Sequence, residues 1–206
     1  MQPPVQAQRH TTAVLAAKRL NRGAAMLATS VLLDSAIEHY RGDFHNPAML
    51  TPIATSLAAL AGSLHGHGDN KQRRHAKREA IFALTAATGL AGTGFHIYNA
   101  MKKPGGLSWQ NLFYSGPVGA PAAILLSGLF GLLGERVRDA APGTTPKIRG
   151  LNAGRVASLV TSIGLLGTSG EAGLLHFRGA FQNPAMLLPV TMPPAAAALM
   201  ANAAFG

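Results

Sequence analysis

Apolar segments about as long as a membrane span alternate along the chain with short polar segments. Six of them lie near 23–41, 47–64, 80–101, 112–134, 155–177 and 184–206. A helix needs about 20 predominantly apolar residues to cross a bilayer. The pattern predicts an all-α, polytopic integral membrane protein with six transmembrane helices. A mean hydropathy of +0.18 favours the alternative of a soluble helical protein rich in Ala and Gly, but six such segments would make a soluble surface too apolar.

The polar stretch between the first two segments returns later in the chain. Residues 39–53 read HYRGDFHNPAMLTPI and residues 176–190 read HFRGAFQNPAMLLPV, with ten of fifteen positions identical. A fainter third copy runs from His96 through Asn111 to Pro117, where the Asn-to-Pro spacing of six equals that in the other copies. The sequence predicts three repeated helical hairpins, with the motif at the turn of each.

The repeats define the expected organisation of the chain. A polar N-terminal segment, 1–22, precedes a single membrane domain, 23–206. Within that domain the repeats cover about 23–64, 80–134 and 155–206.

The turns of the two close copies each carry a start signal for a helix. Asn46 and Asn183 each precede a proline, which predicts an N-cap followed by proline in the first helical turn. Glycine at 42 and 179 is expected to let the chain reverse after the first helix. The prolines at 52, 117 and 189 are expected inside the second helix, where they would kink it and free carbonyls.

The positions of the basic residues predict the topology. Fourteen of the eighteen Lys and Arg residues lie in 1–22, 65–79 and 135–155. With six spans these segments share one side, which the positive-inside rule places in the cytoplasm. We therefore expect a multi-pass protein of the plasma (inner) membrane, with cytoplasmic termini and outward-facing repeated turns. The basic segments, source of the net charge of +10, are interpreted as contacts for anionic lipids in preference to a nucleic-acid surface.

One histidine recurs in every copy, as His39, His96 and His176. Three converging imidazoles would bind a divalent metal, and two of them would hold a haem b. The alternative is that each histidine only bonds a carbonyl or a neighbouring helix and pins the turn. A second group, His65, His67 and His75, is interpreted as part of a solvated loop in preference to a weak metal site.

The helix ends beside these histidines suit an anionic group. Helix N-termini carry positive partial charge and free N–H groups, and basic side chains lie close by. The candidate cofactor-binding residues are therefore the three histidines with Arg41, Arg178, Asn46, Asn111 and Asn183. Capping of the preceding helices and contact with lipid phosphate is an equal alternative for the two arginines.

Three acidic residues fall within predicted spans. Asp34 and Glu171 each lie five residues before the repeated histidine, and Glu38 follows one turn after Asp34. A carboxylate at that depth is costly, so it should face a protein interior and find a partner. Five residues turn a helix by about 140°, away from its own histidine. The partner is therefore expected on another helix, with proton relay, cation binding and histidine orientation all open.

These features favour a membrane subunit over a self-contained enzyme. The chain has no cysteine, which excludes thiolate metal sites, and no nucleotide-binding loop or hydrolase motif is present. The favoured hypothesis is a subunit that binds a haem, divalent metal or quinone near the outer face and anchors or serves an extracytoplasmic oxidoreductase. A small transporter or channel built from parallel two-helix repeats and a membrane scaffold or assembly factor are the alternatives.

Overall fold

A computed structural model describes residues 5–114, 118–141 and 144–206, with side chains except at 5–11, 109, 112 and 113. About 80% of the described chain is helical, and the prediction of an all-α protein is confirmed. The helices are α1 (Val5–Arg41), α2 (Thr51–Gly68), α3 (Ala76–Met101), α4 (Trp109–Tyr114), α5 (Gly119–Arg138), α6 (Ala153–Arg178) and α7 (Leu188–Phe205). One turn of 3₁₀ helix, Pro47–Leu50, precedes α2, and another, Pro184–Leu187, precedes α7. A two-residue antiparallel ladder pairs β1 (Lys147–Ile148) with β2 (Leu151–Asn152).

Four helical segments are long and apolar enough to cross a membrane. They are Pro47–Gly68, Ala76–Met101, Gly119–Arg138 and Pro184–Phe205. The other two predicted spans, 23–41 and 155–177, are helical within α1 and α6 but are not among these four. The physical reason in α1 is its charge, because Asp34, Glu38 and Arg41 follow one another within three turns.

The side chains are distributed as expected for helices in lipid. Large apolar side chains such as Leu57, Leu84 and Leu199 point outward, whereas many buried positions hold alanine, serine or glycine. Small residues let helix backbones approach closely where lipid supplies no hydrophobic drive for association. Together with the four apolar helices, this distribution indicates a membrane protein.

The fold divides into two compact units. Unit 1 comprises Met1–Leu90 and Ala120–Ala153, and unit 2 comprises Ala91–Gly119 and Gly154–Gly206.

Within unit 1, glycines set the distances between helices. The buried Phe82 ring of α3 lies 3.5 Å from the position that a Cβ on Gly62 of α2 would take. On its other side the ring fills the space beside Gly131 of α5, where a Cβ would overlap it. α1 packs along α2, and Ser127 of α5 donates a hydrogen bond to the carbonyl of Ala24 of α1 at 2.9 Å.

Within unit 2, serines of α6 bond to carbonyls of α7. Ser162 donates to the Ala197 carbonyl at 2.9 Å, and Ser169 donates to the Val190 carbonyl at 3.1 Å. Pro194 has no N–H, so the Val190 carbonyl one turn earlier has no partner within its own helix. Ser169 therefore satisfies a carbonyl that the proline frees, as hydroxyls do in membrane helices.

The prolines of the repeated motif are placed differently from the prediction. Because the first turn after each asparagine is 3₁₀, Pro52 and Pro189 lie in the first turn of α2 and α7. An N–H in that turn has no partner in the helix. The prediction that these two prolines kink a helix interior was therefore wrong, and Pro117 lies outside the described residues.

Candidate functional site

The two close copies of the motif adopt the same local conformation. Asp43 and Phe44 have φ of 56° and 44°, and Ala180 and Phe181 have φ of 53° and 46°. Two successive left-handed residues that are not glycine are costly, about 1–3 kcal/mol each, and persist only where their surroundings hold them. The turn is thus a strained corner that the fold builds twice.

Glycine is not the residue at which the chain reverses in this motif, so the predicted role of Gly42 and Gly179 was wrong. The left-handed residues are the two that follow each glycine. A Cβ on Gly42 would approach Met49 Cε to 3.1 Å, and one on Gly179 would approach Met186 Cε to 3.6 Å. The end of each methionine side chain therefore lies against the glycine of its own copy.

The asparagines act as predicted in the two close copies. The side-chain oxygen of Asn46 accepts a hydrogen bond from the Ala48 N–H at 2.9 Å, and Asn183 accepts one from Ala185 at 2.9 Å. Both asparagines are extended N-caps. In the middle copy the amide of the buried Asn111 donates to the carbonyls of residues 103, 104 and 106. All three side chains hold the turn in which they lie.

His39 is fixed by a backbone carbonyl. Its Nδ1 lies 2.6 Å from the Met49 carbonyl oxygen, and its partly buried ring is edge-on to Phe44 at 6.3 Å. A carbonyl only accepts, so Nδ1 donates. In the neutral imidazole Nε2 is then left with a lone pair.

The other two repeated histidines are also partly buried. The His176 ring lies 6.2 Å from Phe181, which repeats the His39–Phe44 pair. His96 lies near the end of α3, with its ring edge-on to Phe95 at 6.4 Å. The histidine is therefore packed against an aromatic ring in each copy.

The arginines of the motif are on the surface. Arg41 bonds Glu38 at 2.8 Å, and both side chains are largely exposed. Arg178 lies over the Tyr114 ring, 5.3 Å from its centre. Glu38 is thus the partner of a cation.

The carboxylate of Glu171 has its partner on another helix, as predicted. Its Oε1 accepts a hydrogen bond from the Gly119 N–H at 3.0 Å, at the first residue of α5. A Cβ on Gly119 would overlap the carboxylate, so glycine admits it. A carboxylate is stabilised at a helix N-terminus by the dipole, and here an acid from α6 fills the anion position. Asp34, the equivalent acid in α1, is exposed, so the expectation that it faces the protein interior was wrong.

A second cluster, which the sequence did not predict, lies in unit 1. Arg78 donates to Glu135 through Nε at 2.8 Å and through Nη2 at 3.1 Å, and its Nη1 donates to Asp69 at 2.9 Å. The His75 N–H also donates to Glu135, at 2.8 Å. Arg78 and Glu135 are no more than 1% exposed, so this ion pair is shielded from water.

Arg138 completes this buried charge network, which consists of Asp69, Arg78, Glu135 and Arg138. Its guanidinium donates to the carbonyls of Gly66 and Asp69, each at 2.7 Å. Burial raises the pKa of Asp69, but hydrogen bonds from the Lys71 N–H and Arg78, with the charge of Arg138, hold that pKa below its usual value. The two arginines and two acids are balanced in formal charge.

The network corrects the interpretation of the basic segments. Arg78 and Arg138 were counted among residues that contact lipid headgroups, but they are 1% and 0% exposed. The sequence did contain one indication that these arginines are paired: Asp69 and Glu135 are acids at the edges of two basic segments. Their pairing was not predictable, since Arg78 and Glu135 are 57 residues apart.

The chemistry available differs between the two places. The repeated turn offers imidazole nitrogens and surface cations, whereas the network holds two arginines and two acids whose formal charges balance. Over the residues that the structure describes, no three His, Asp or Glu side chains are grouped so as to hold a metal ion. No family model, curated protein or solved structure matches the chain.

Proposed function

We propose that this protein is a multi-pass membrane subunit that binds a haem, a divalent metal or a quinone at its repeated turns and anchors or serves an oxidoreductase. The turns lie near the outer face of the plasma (inner) membrane. The repeated histidines, His39, His96 and His176, supply the ligands or hydrogen bonds to the cofactor.

One observation carries this proposal: the hydrogen bond from His39 Nδ1 to the Met49 carbonyl at 2.6 Å. Histidines that bind metals usually donate their other ring N–H to a carbonyl or a carboxylate. That bond selects the tautomer with a lone pair on Nε2 and limits rotation of the ring. The strained corner around Asp43 and Phe44 supports the same interpretation, because strain of this kind concentrates at functional sites.

The surroundings of the turns suit the propionates of a haem or the oxygens of a quinone. Arg41 and Arg178 are exposed beside the turns. Exposed aromatic rings lie close in sequence, including Tyr40 and Phe177. Such amphipathic surfaces also fit the headgroup level of a membrane, where an anchored oxidoreductase would meet its membrane subunit.

The proposed topology has six spans, with three two-helix repeats. The basic segments 1–22, 65–79 and 135–155 face the cytoplasm under the positive-inside rule. In this arrangement Asp43 and Ala180 lie on the same, outer side. If only the four most apolar helices crossed the membrane, these two residues would lie on opposite sides.

Labelling of introduced cysteines tests this topology, because the chain has none of its own. In sealed vesicles, we expect Asp43→Cys and Ala180→Cys to react with an impermeant maleimide from the same side. Asn70→Cys, between α2 and α3, is the control and should react from the opposite side. Reaction of the cysteines at 43 and 180 from opposite sides would contradict six spans.

A reduced-minus-oxidised visible spectrum of the protein, purified from membranes in mild detergent, tests for haem. Metal analysis and quinone extraction on the same sample cover the colourless cofactors. We expect a bound cofactor that His96→Ala loses. His45→Ala is the control, because His45 lies in the turn of the first copy, is exposed and has its Nδ1 2.9 Å from the backbone carbonyl of Gly42.

Two results would refute the proposal. One is the absence of haem, metal and quinone from the purified protein. The other is full retention of the cofactor when His39, His96 and His176 are all replaced by alanine.

A further inference from the structure

The interior of unit 1 contains buried polar atoms that have no hydrogen-bond partner in the protein, although one of them, Arg138 Nε, lies 3.9 Å from the Glu135 carboxylate. Among the described side chains, these atoms are Asn21 Oδ1, Ser56 Oγ, Ser63 Oγ, Gln72 Oε1, His75 Nδ1 and Arg138 Nε. All belong to unit 1. Buried polar atoms that the protein does not satisfy are commonly satisfied by ordered water.

Three of these atoms surround one helix contact. Asn21 of α1 lies between two glycines: a Cβ on Gly66 of α2 would overlap its amide, and a Cβ on Gly134 of α5 would come within 2.9 Å of Nδ2. Ser63 is one turn before Gly66, and Arg138 is one turn after Gly134. A helical turn advances only about 5.4 Å, so the three unpaired atoms are near the same point.

Together these three groups can both donate hydrogen bonds to a water molecule and accept hydrogen bonds from it. Asn21 Nδ2 already donates to the Ala17 carbonyl at 2.9 Å, which leaves Oδ1 as an acceptor. Arg138 Nε is a donor, and the Ser63 hydroxyl both donates and accepts. A bound water needs two to four such partners, and here a donor, an acceptor and a hydroxyl are available.

Further buried polar atoms without a hydrogen-bond partner lie on both sides of this contact, at Ser56 and at His75. Ser56 lies two turns before Ser63 on the buried face of α2, which also includes Ala59 and Gly62. Beyond Arg138, the buried Nδ1 of His75 is unpaired. The His75 ring is edge-on to His65 at 5.4 Å, and His65 is exposed.

We propose that unit 1 binds a chain of water molecules that runs from Ser56 past Ser63, Asn21 and Arg138 and opens to the aqueous phase at His75. The buried charge network forms the wall of this path near the opening. This hydrated path is separate from the proposed cofactor function, and its test does not depend on a cofactor.

Cysteine at position 63 tests the path directly. A thiol reacts as the thiolate, which forms where water reaches it and is suppressed in apolar surroundings. In the complete protein in lipid nanodiscs, we expect Ser63→Cys to be modified by 2-aminoethyl methanethiosulfonate at least about tenfold faster than a dry buried cysteine. The mass of the intact protein reports the modification.

Ser127→Cys is the matched control. Ser127 lies in the same unit and is 1% exposed, but its hydroxyl already bonds the Ala24 carbonyl. Leu57→Cys, on the outward face of α2, controls for entry of the reagent through lipid. Equal rates at 63 and 127 would overturn the proposal.

The stability of Ser63→Ala gives a second readout if the cysteine variant misfolds. In a dry core, removal of an unpaired hydroxyl raises the free energy of unfolding. With water bound, the same change removes a hydrogen bond and lowers that free energy. Increased stability in Ser63→Ala therefore counts against the hydrated path.

Discussion

Glu135→Ala is expected to lower the free energy of unfolding by about 3–5 kcal/mol, the cost of removing one partner from a buried ion pair. Glu135 accepts two hydrogen bonds from Arg78 and one from the His75 N–H. Without it, two buried arginines face Asp69 alone. Denaturation of the detergent-solubilised protein, followed by circular dichroism, measures the loss.

Glu79→Ala is the matched control for this loss. Glu79 also pairs with two arginines, Arg74 at 3.8 Å and Arg136 at 3.1 Å, but about half of each arginine side chain is exposed. Exposed pairs contribute about 0–1 kcal/mol.

A second variant separates the effect of charge from that of side-chain shape. Adding Arg78→Met to Glu135→Ala removes the excess positive charge and should recover part of the stability. Equal stability of the Glu135 and Glu79 variants would contradict a buried network.

Gly89→Ala is expected to destabilise the contact between α3 and α5. A Cβ on Gly89 would come within 2.6 Å of Leu125 Cα and 2.8 Å of the Pro121 carbonyl oxygen. Both neighbours are backbone atoms, so no side chain can rotate away and the helices must separate. Overpacking of this kind typically costs about 1–3 kcal/mol, measurable as a lower melting temperature in detergent.

Gly94→Ala, on the same helix, is the control. A Cβ on Gly94 meets nothing within 4 Å. Alanine is favoured over glycine in a helix interior by about 0.5–1 kcal/mol, so this variant should be as stable as the parent protein or slightly more stable. If both alanine variants melt at the same temperature, α3 and α5 are not in backbone contact.

The Glu171 carboxylate illustrates how far sequence carries an inference about a site. An acid within a predicted span implied a partner on another helix. Which helix was not predictable, because the Gly119 N–H lies 52 residues away and carries no distinguishing sequence pattern. The partner depends on how unit 2 folds, because that unit contains both Glu171 and Gly119.

Local signals determined the parts of this protein that depend on neighbours in sequence. Apolar segments specified the helices, because a helix in lipid satisfies its own backbone, and Asn before Pro specified the N-caps at 46 and 183. The identical corners followed from the repeated motif, although the left-handed residues after each glycine did not.

Only the tertiary structure decided which charged residues are buried. Arg78 and Arg138 belong to basic segments, and nothing in the neighbouring sequence distinguishes them from the exposed arginines around them. Burial of a charge is settled by whether distant acids and carbonyls surround it, and here these come from α2, the following loop and α5. The buried charge network and the unpaired polar atoms beside it therefore arise from packing between segments, which no local pattern records.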